Sequence, residues 1–478
     1  MSEIECDVAV VGGGPVGVTL LNLLGVHGVS AAGFEREPAA GHSPRAGTFD
    51  DEVMRIFQAA GLSGVIEPTV SPGVGLRLEN EAGTTLLAMD NREAFGPQGW
   101  SVTYRMYQPT LERLLRDGLE RFPNVALHSA HEVTAVGQDE SHAWVDVRDL
   151  ASGEQRRVTA RYVIGCDGAS SSVRARIGAR FECLAPDQPY LVVDAAPTRE
   201  LDLPREGTLF CWPSRPHYWR GLAPWLRWEL KVMPGDDPAE LTTPAAVFRL
   251  LESWITPDDA DIERAVIYTF HSLLADRWRN GRVLLAGDAA HVQPPFMGQG
   301  LCSGIRDVAN LSWKLGWVLR GEAGDDLLDS YQIERSPHAR AWIGEATRIG
   351  EIVTAVDPAA AAERDSRILA GSRELAPIMP RLGPGLHGHA PEPAGTLSPQ
   401  PRRSDARRLD DIVGLGFGVI ARTDLALTVP AMPHVVVVAE PAELVGPVLA
   451  TYDAAAVVIR PDRYVLGVAH DVVELGRL

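Results

Sequence analysis

The stretch Val8-Ala9-Val10-Val11-Gly12-Gly13-Gly14-Pro15-Val16-Gly17 decides the fold. Its four apolar residues read as a strand, its glycines as a tight turn, and Pro15 to His27 as a helix stopped by Gly28. Gly12 permits the turn, Gly14 lets a pyrophosphate approach the backbone, and Gly17 lets helix and strand pack closely. The open N–H groups at the helix start suit phosphate oxygens. A second strand, Ser30 to Phe34, ends at Glu35, where a carboxylate can accept from ribose hydroxyls. Strand, glycine turn, helix and acid in that order predict a dinucleotide-binding unit.

A second apolar run lies far downstream. Val283-Leu284-Leu285-Ala286 leads into Gly287-Asp288-Ala289-Ala290-His291. A carboxylate at Asp288 can hold a polyol hydroxyl, as in the ribityl chain of FAD, although Asp is also a good helix cap. A third strand, Tyr162-Val163-Ile164, gives way to Gly165-Cys166-Asp167-Gly168, with Arg174 a little beyond. The stretch Gly298-Gln299-Gly300-Leu301 follows Pro294-Pro295 and offers backbone N–H groups ahead of a helix, suited to negative charge on a flavin pyrimidine. A cofactor held from both ends, and one carrying its own redox chemistry, predicts a flavin.

Composition narrows the class. The 45 basic and 63 acidic residues give a net charge of −18, which argues against nucleic acid and anionic membranes as partners. No uncharged apolar run reaches about 18 residues, so no transmembrane helix is expected. The acidic start Met1-Ser2-Glu3-Ile4-Glu5 has no basic n-region, so no signal peptide is expected. Cys6, Cys166, Cys183, Cys211 and Cys302 form no C-x-x-C pair and no zinc spacing, so free thiols, a reducing cytoplasm and no metal are the expectation.

The chain divides by texture. Residues 1–178 read as the first part of an FAD-binding domain and 279–357 as its second part. Residues 179–278, rich in tryptophan and alternating strands such as Leu226 to Met233, read as an antiparallel-sheet substrate domain. Residues 358–478 read as an Ala/Pro/Gly-rich linker followed by a small α/β unit with strands at Val435 to Ala439 and Ala455 to Ile459.

The set Gly12-Gly14-Gly17 with Glu35-Arg36, then Asp167-Gly168, then Gly287-Asp288-Ala289-Ala290-His291 resembles the single-component FAD-dependent aromatic hydroxylases, the family of 4-hydroxybenzoate and phenol hydroxylases. Pro44-Arg45-Ala46, Tyr107-Gln108-Pro109, Arg215-Pro216, Val232-Met233-Pro234-Gly235 and Met297-Gly298-Gln299-Gly300 are most similar to the 3-(3-hydroxyphenyl)propionate and polyketide hydroxylase branch. The resemblance covers about residues 5–345 and implies a Rossmann-like FAD-binding domain of the 4-hydroxybenzoate hydroxylase type. It also implies a small thioredoxin-like C-terminal unit, here without C-x-x-C.

The resemblance implies roles. Gly12, Gly14, Pro15 and Gly17 hold the FAD pyrophosphate, Glu35 and Arg36 the adenosine side, and Arg45 and Gln108 the flavin side. Asp167 serves FAD and the nicotinamide coenzyme, and Asp288 binds the ribityl chain. Pro295, Gly298, Gly300, Leu301 and Cys302 line the isoalloxazine; Cys302 stands where the family commonly has Asn, so a side-chain hydrogen bond is weakened there. The implied reaction is NADH- or NADPH-consuming monooxygenation of a phenolic or polyketide-type aromatic substrate with O2, through a flavin C4a-hydroperoxide.

Phe210, Trp212, His217, Tyr218, Trp219, Arg227 and Trp228 are the candidate substrate residues, with Arg227 matching a strand arginine near the flavin. No general base stands out among His42, His217 and Tyr218. Three readings stay beside the hydroxylase: a Baeyer–Villiger or epoxidising oxygenase on the same fold, a non-catalytic flavoprotein, and an NAD-dependent dehydrogenase. Substrate identity and a homodimer stay open.

Overall fold

The computed structural model describes residues 5–39, 46–91, 95–204, 206–222, 225–376 and 378–478. Arg45 and His42 lie outside the described residues.

The strand Cys6–Val11 is central to an eight-stranded sheet. Val8, Ala9 and Val10 are fully buried, so this central strand is covered on both faces and has no polar side. Its neighbours are Ala31–Phe34 and Gln155–Gly165, both parallel to it, with Val10 opposite Gly33 and Ile164. Val125–His128 continues the sheet on one side. On the other side comes Val283–Leu285, parallel to Gln155–Gly165. The glycine turn, the Cys166-Asp167 turn and the Gly287-Asp288 turn therefore all leave the same end of one sheet. Ligands bind at that end of open parallel sheets.

Two helices organise this end. Pro15–Val26 has proline in its first turn, a position that needs no N–H, and buries most of its length. Gly300–Arg320 packs on it. Contact is close because Gly304 has no side chain; a Cβ there would lie 2.6 Å from Val16 and 3.1 Å from the Gly287 backbone. The 25-residue helix Asp329–Val353, not predicted from the sequence, runs through Pro337 and follows it.

The middle sheet also has eight strands, in the order His291–Val292, Ala260–Ala275, Phe181–Pro197, Trp225–Lys231, His217–Leu222, Gly207–Phe210, Leu76–Glu79, Thr85–Met89. All pairs are antiparallel except Gly207–Phe210 with Leu76–Glu79. The two last strands come from outside the 179–278 span, because the parallel pairing of Leu209 with Leu78 draws the earlier hairpin onto the sheet edge.

The last four strands form their own sheet, ordered Val435–Val438, Phe417–Ala421, Ala456–Ile459, Val465–Ala469. The first pair is parallel and the other two antiparallel, with helices between the parallel strands and before the hairpin. That is the order and direction of a thioredoxin-like core. The stretch after Pro358 opens with a helix, Pro358–Leu369, capped by Asp357. No helix among the described residues is long and apolar enough to cross a membrane. All five cysteines are free thiols.

Candidate active site

The glycine turn fits a pyrophosphate. Gly12 sits at φ +102°, and a Cβ there would lie 2.4 Å from the Cys166 carbonyl oxygen. A Cβ on Gly17 would lie 2.0 Å from the Gly12 carbonyl oxygen, so helix and turn touch only because the side chain is absent. Gly14 faces open space instead. No side chain caps the helix that follows, so its first N–H groups are available to an anion. Glu35 is fixed at the end of the second strand by the Gly13 N–H (2.6 Å) and the Glu37 N–H (2.8 Å). Arg36 is exposed beside Glu37. The Arg116 guanidinium, not anticipated from the sequence, donates to the Gly13 carbonyl and braces the turn. Asp167 is taken up locally: it accepts from the Ser171 hydroxyl and from the Ser172 and Val173 N–H groups, and so starts the helix Ser172–Arg176.

The other end is built on Gly287, whose φ of +64° turns the chain so that Asp288 leaves the strand end. Asp307, fully buried, holds this turn. Its carboxylate accepts from the Gly287 N–H (3.0 Å) and Arg335 Nε (2.9 Å), and lies 2.6 Å from His291 Nε2. Burial alone would raise the Asp307 carboxyl; His291 and Arg335 outweigh it and hold it below the usual carboxylate range. Pro295–Met297 then turns into Gly298 at φ +65°, and the helix from Gly300 begins without a side-chain cap. Leu301 is half-buried and Cys302 fully buried, its thiol pushed up by burial, with Sγ 3.7 Å from the Gly298 carbonyl. Both amide atoms of Gln293 are buried without a partner among the described residues, beside Gly300. The Gln108 amide oxygen accepts from the Ala46 N–H (2.8 Å).

Between these ends lies one face of the middle sheet. Strand alternation puts Tyr218 and Arg220, and Trp225, Arg227, Glu229 and Lys231, on it. This face meets the cofactor-side loops. A Cβ on Gly47 would lie 2.3 Å from the Arg220 guanidinium, the Trp225 ring is 5.6 Å from Tyr107, and Tyr190 meets Phe296 at 6.1 Å.

A family model described as "FAD binding domain" matches residues 5–346. Over 99% of its length the chain is 34% identical to a probable NADH-specific resorcinol 4-hydroxylase of Rhodococcus jostii (strain RHA1), covering 93% of that protein. The chain belongs to the FAD-dependent aromatic hydroxylases. A 3-(3-hydroxy-phenyl)propionate/3-hydroxycinnamic acid hydroxylase of Mycolicibacterium gilvum (strain PYR-GCK) is 36% identical over 87% of the hydroxylase and 76% of that protein. Among solved structures, aklavinone-11 hydroxylase with FAD and aklavinone superposes with a TM-score of 0.82 at 22% identity, covering 98% of this chain and 96% of that one. The flavin-dependent monooxygenase PieE with FAD and substrate gives 0.81 at 22%, covering 98% and 97%. The fold is shared with both.

The hydroxylase therefore uses FAD, and its residues fit that group: open space at Gly14, two uncapped helix starts and the orphaned Gln293 amide converge on one region. Bound FAD accepts electrons from a nicotinamide coenzyme and supplies the oxygen-transferring centre. The protein's part is to hold it. Gly12 to Gly17 and Glu35 would seat the adenine dinucleotide end, Asp288 the ribityl chain, and the Gly298–Cys302 backbone the ring's pyrimidine edge.

Five of the expected substrate residues sit elsewhere. Phe210, Trp212, His217, Trp219 and Trp228 pack with Trp254 into one aromatic cluster on the opposite face of the sheet from Arg227. Leu241, Val247 and Leu251 close that cluster, so these rings form a core. The aromatic richness of the region reflected packing, and alternation decides which residues face the cofactor. Tyr218 and Arg227 share the other face of the sheet with Arg220 and Glu229. Arg227 is buried against Asp194, at 2.6 and 3.0 Å.

A buried chain of contacts joins the C-terminal unit to the flavin loop. The Tyr464 hydroxyl donates to Glu52 (2.8 Å), Glu52 and Asp50 hold the Arg306 guanidinium, and Arg306 donates to the Gln299 side-chain oxygen (2.7 Å). Tyr464→Phe removes one hydrogen bond to a charged group and should cost about 1.5–3 kcal/mol in urea unfolding. Flavin retention on a spin column should fall with it, whereas Tyr452→Phe, on the same unit, should leave flavin in place.

Proposed function

We propose that the protein hydroxylates a small single-ring phenol of the resorcinol class, with NADH as electron donor and O2 as oxidant. The similarity to the Rhodococcus resorcinol hydroxylase carries this reading, because it runs nearly end to end in both chains. The hydroxyphenylpropionate hydroxylase of Mycolicibacterium, by contrast, matches over only 76% of its own length. The sequence has no second Gly-x-Gly-x-x-Gly that follows a strand, so the nicotinamide coenzyme has no separate domain and visits the flavin from solution.

One observation favours a second reading, a phenol bearing a carboxylate. The charges of Arg220 and Arg105 both act on the Tyr218 hydroxyl, and neither arginine forms an ion pair among the described residues. Such guanidinium groups suit a carboxylate.

The test is NADH and NADPH oxidation, O2 uptake and product analysis with resorcinol and with 3-(3-hydroxyphenyl)propionate. Resorcinol is expected to stimulate NADH oxidation and to yield a trihydroxybenzene in step with NADH consumed. Stimulation by the propionate alone would establish the second reading. A protein whose coenzyme oxidation neither compound alters would exclude both.

A further inference from the structure

Two carboxylates stand on the cofactor side of the middle sheet, and they are treated differently. Asp194 is saturated. Arg227 donates to both its oxygens, and Arg264 Nε lies 3.0 Å away. Glu229 accepts no hydrogen bond among the described residues. It is half-buried, in register with Tyr218 on one neighbouring strand and Val192 on the other. Its oxygens are not sealed from solvent, so a substrate hydroxyl can reach a carboxylate that no protein donor has taken up.

The groups that face Glu229 are few. Arg227 and Lys231 flank it on its own strand, and Lys231 is turned to Thr354 (3.0 Å). Arg220 and Tyr218 face it from the next strand, Asp194 from the strand on the other side, and Arg264 from one strand further. Burial pushes the Glu229 carboxyl above the usual range, while Arg220 and Arg227 pull the other way. Two other candidates for a base, His217 and Tyr218, are poorly placed. His217 Nδ1 is bound to the Arg215 carbonyl (2.9 Å), and its ring stacks on Phe210 on the far face. Burial raises the Tyr218 hydroxyl, the wrong direction for accepting a proton at neutral pH.

We propose that Glu229 is the catalytic base of the hydroxylation, its carboxylate accepting the substrate's ring hydroxyl and taking its proton. This rests on the phenol reading above. The O–H bond of the phenol breaks, a bond forms between that proton and a Glu229 oxygen, and the electron pair stays on the ring oxygen. The phenolate donates density to the ring carbons ortho and para to it, where the oxygen atom is delivered. Arg220 stands beside the developing negative charge. Glu229 returns its proton to solvent between turnovers, and the redox balance remains that of NADH and O2.

The experiment uses the full-length FAD enzyme, wild type, Glu229→Gln and Glu229→Asp, with resorcinol as probe. Binding is read from the change that resorcinol causes in the flavin absorbance, turnover from product, both across pH. Glu229→Gln is expected to bind resorcinol but to lose about 100- to 1,000-fold in product formation at pH 7. The loss should shrink about tenfold per pH unit toward about pH 10, where a phenol ionises unaided. Glu229→Asp should lose less and keep the wild-type pH shape. A Glu229→Gln rate equal to wild type, or a loss independent of pH, overturns the proposal. Should Glu229→Gln fail to hold flavin, the wild-type profile decides, because kcat/KM that stays flat below pH 5 also overturns it. A wild-type enzyme whose flavin spectrum no phenol perturbs removes the phenol reading itself, and the proposal with it.

Discussion

Asp307→Ala should be the most damaging single change in the cofactor region, costing about 3–5 kcal/mol and releasing FAD. Asp307 is the only carboxylate within ion-pair distance of Arg335 among the described residues, and it also holds His291 and the Gly287 N–H. Its removal leaves a guanidinium charged and buried with no counter-ion, and frees the turn that aims Asp288. Asp307→Asn keeps the volume but offers one acceptor where two oxygens are in use, so it should fall between the two. Denaturant midpoints and flavin retention report the two effects separately. The pH dependence has a definite sign. The folded-state value of Asp307 lies below its unfolded value, so its contribution is fully present above about pH 4 and is lost as pH falls toward the folded value. Asp307→Ala should therefore destabilise less at pH 3 than at pH 7, by up to about 1 kcal/mol. Equal losses at both would show that packing, not charge, is what Asp307 contributes.

Gly17→Ala and Gly14→Ala should separate folding from cofactor binding. The Gly17 Cβ would meet a backbone oxygen at 2.0 Å, and a main-chain atom cannot swing aside. Overpacking of this kind costs about 1–3 kcal/mol, and the helix must move off the turn, so stability and flavin should fall together. At Gly14 an added methyl meets nothing in the protein. Compared as FAD-free proteins, Gly14→Ala should unfold at the wild-type midpoint, even gaining slightly from a less flexible unfolded chain, yet fail to take up FAD because the methyl occupies the place of the pyrophosphate. Retained FAD in Gly14→Ala would mean that the phosphates lie elsewhere.

The cofactor half of the site was legible because its signals are local. A turn that needs positive φ at Gly12 and Gly287 shows itself in adjacent residues, as does the strand that precedes each. The side chains that hold those turns were not legible. Asp307, Arg306 and Arg335 lie in ordinary helical sequence, and their roles arise only when Gly300–Arg320 packs beside Asp329–Val353. Periodicity could have marked them, since charged residues in the middle of apolar helical patterns need buried partners, but no spacing rule says which. The aromatic middle region misled for a related reason. Composition cannot tell the two faces of a sheet apart, and the register that sends Trp228 inward and Arg227 toward the cofactor depends on strand pairing. Glu229 was passed over because an isolated acid in an alternating strand looks like a solvent-facing residue until the neighbouring Asp194 is seen to hold both Arg227 and Arg264.

The parallel pairing of Val283–Leu285 with Gln155–Gly165 has a consequence for biosynthesis. About 120 residues separate these partners, so a nascent chain carries the end of Gln155–Gly165 as an open strand edge while five of the eight strands of the middle sheet are being made. Contacts of such long sequence separation form slowly. A ribosome that stalls before Val283, or a protease that cuts in the middle sheet, leaves a fragment with Val163 and Ile164 uncovered and ready to pair with another copy. Expression at low temperature and slow induction should therefore raise soluble yield more than any change to the C-terminal unit, which is made after that edge has closed.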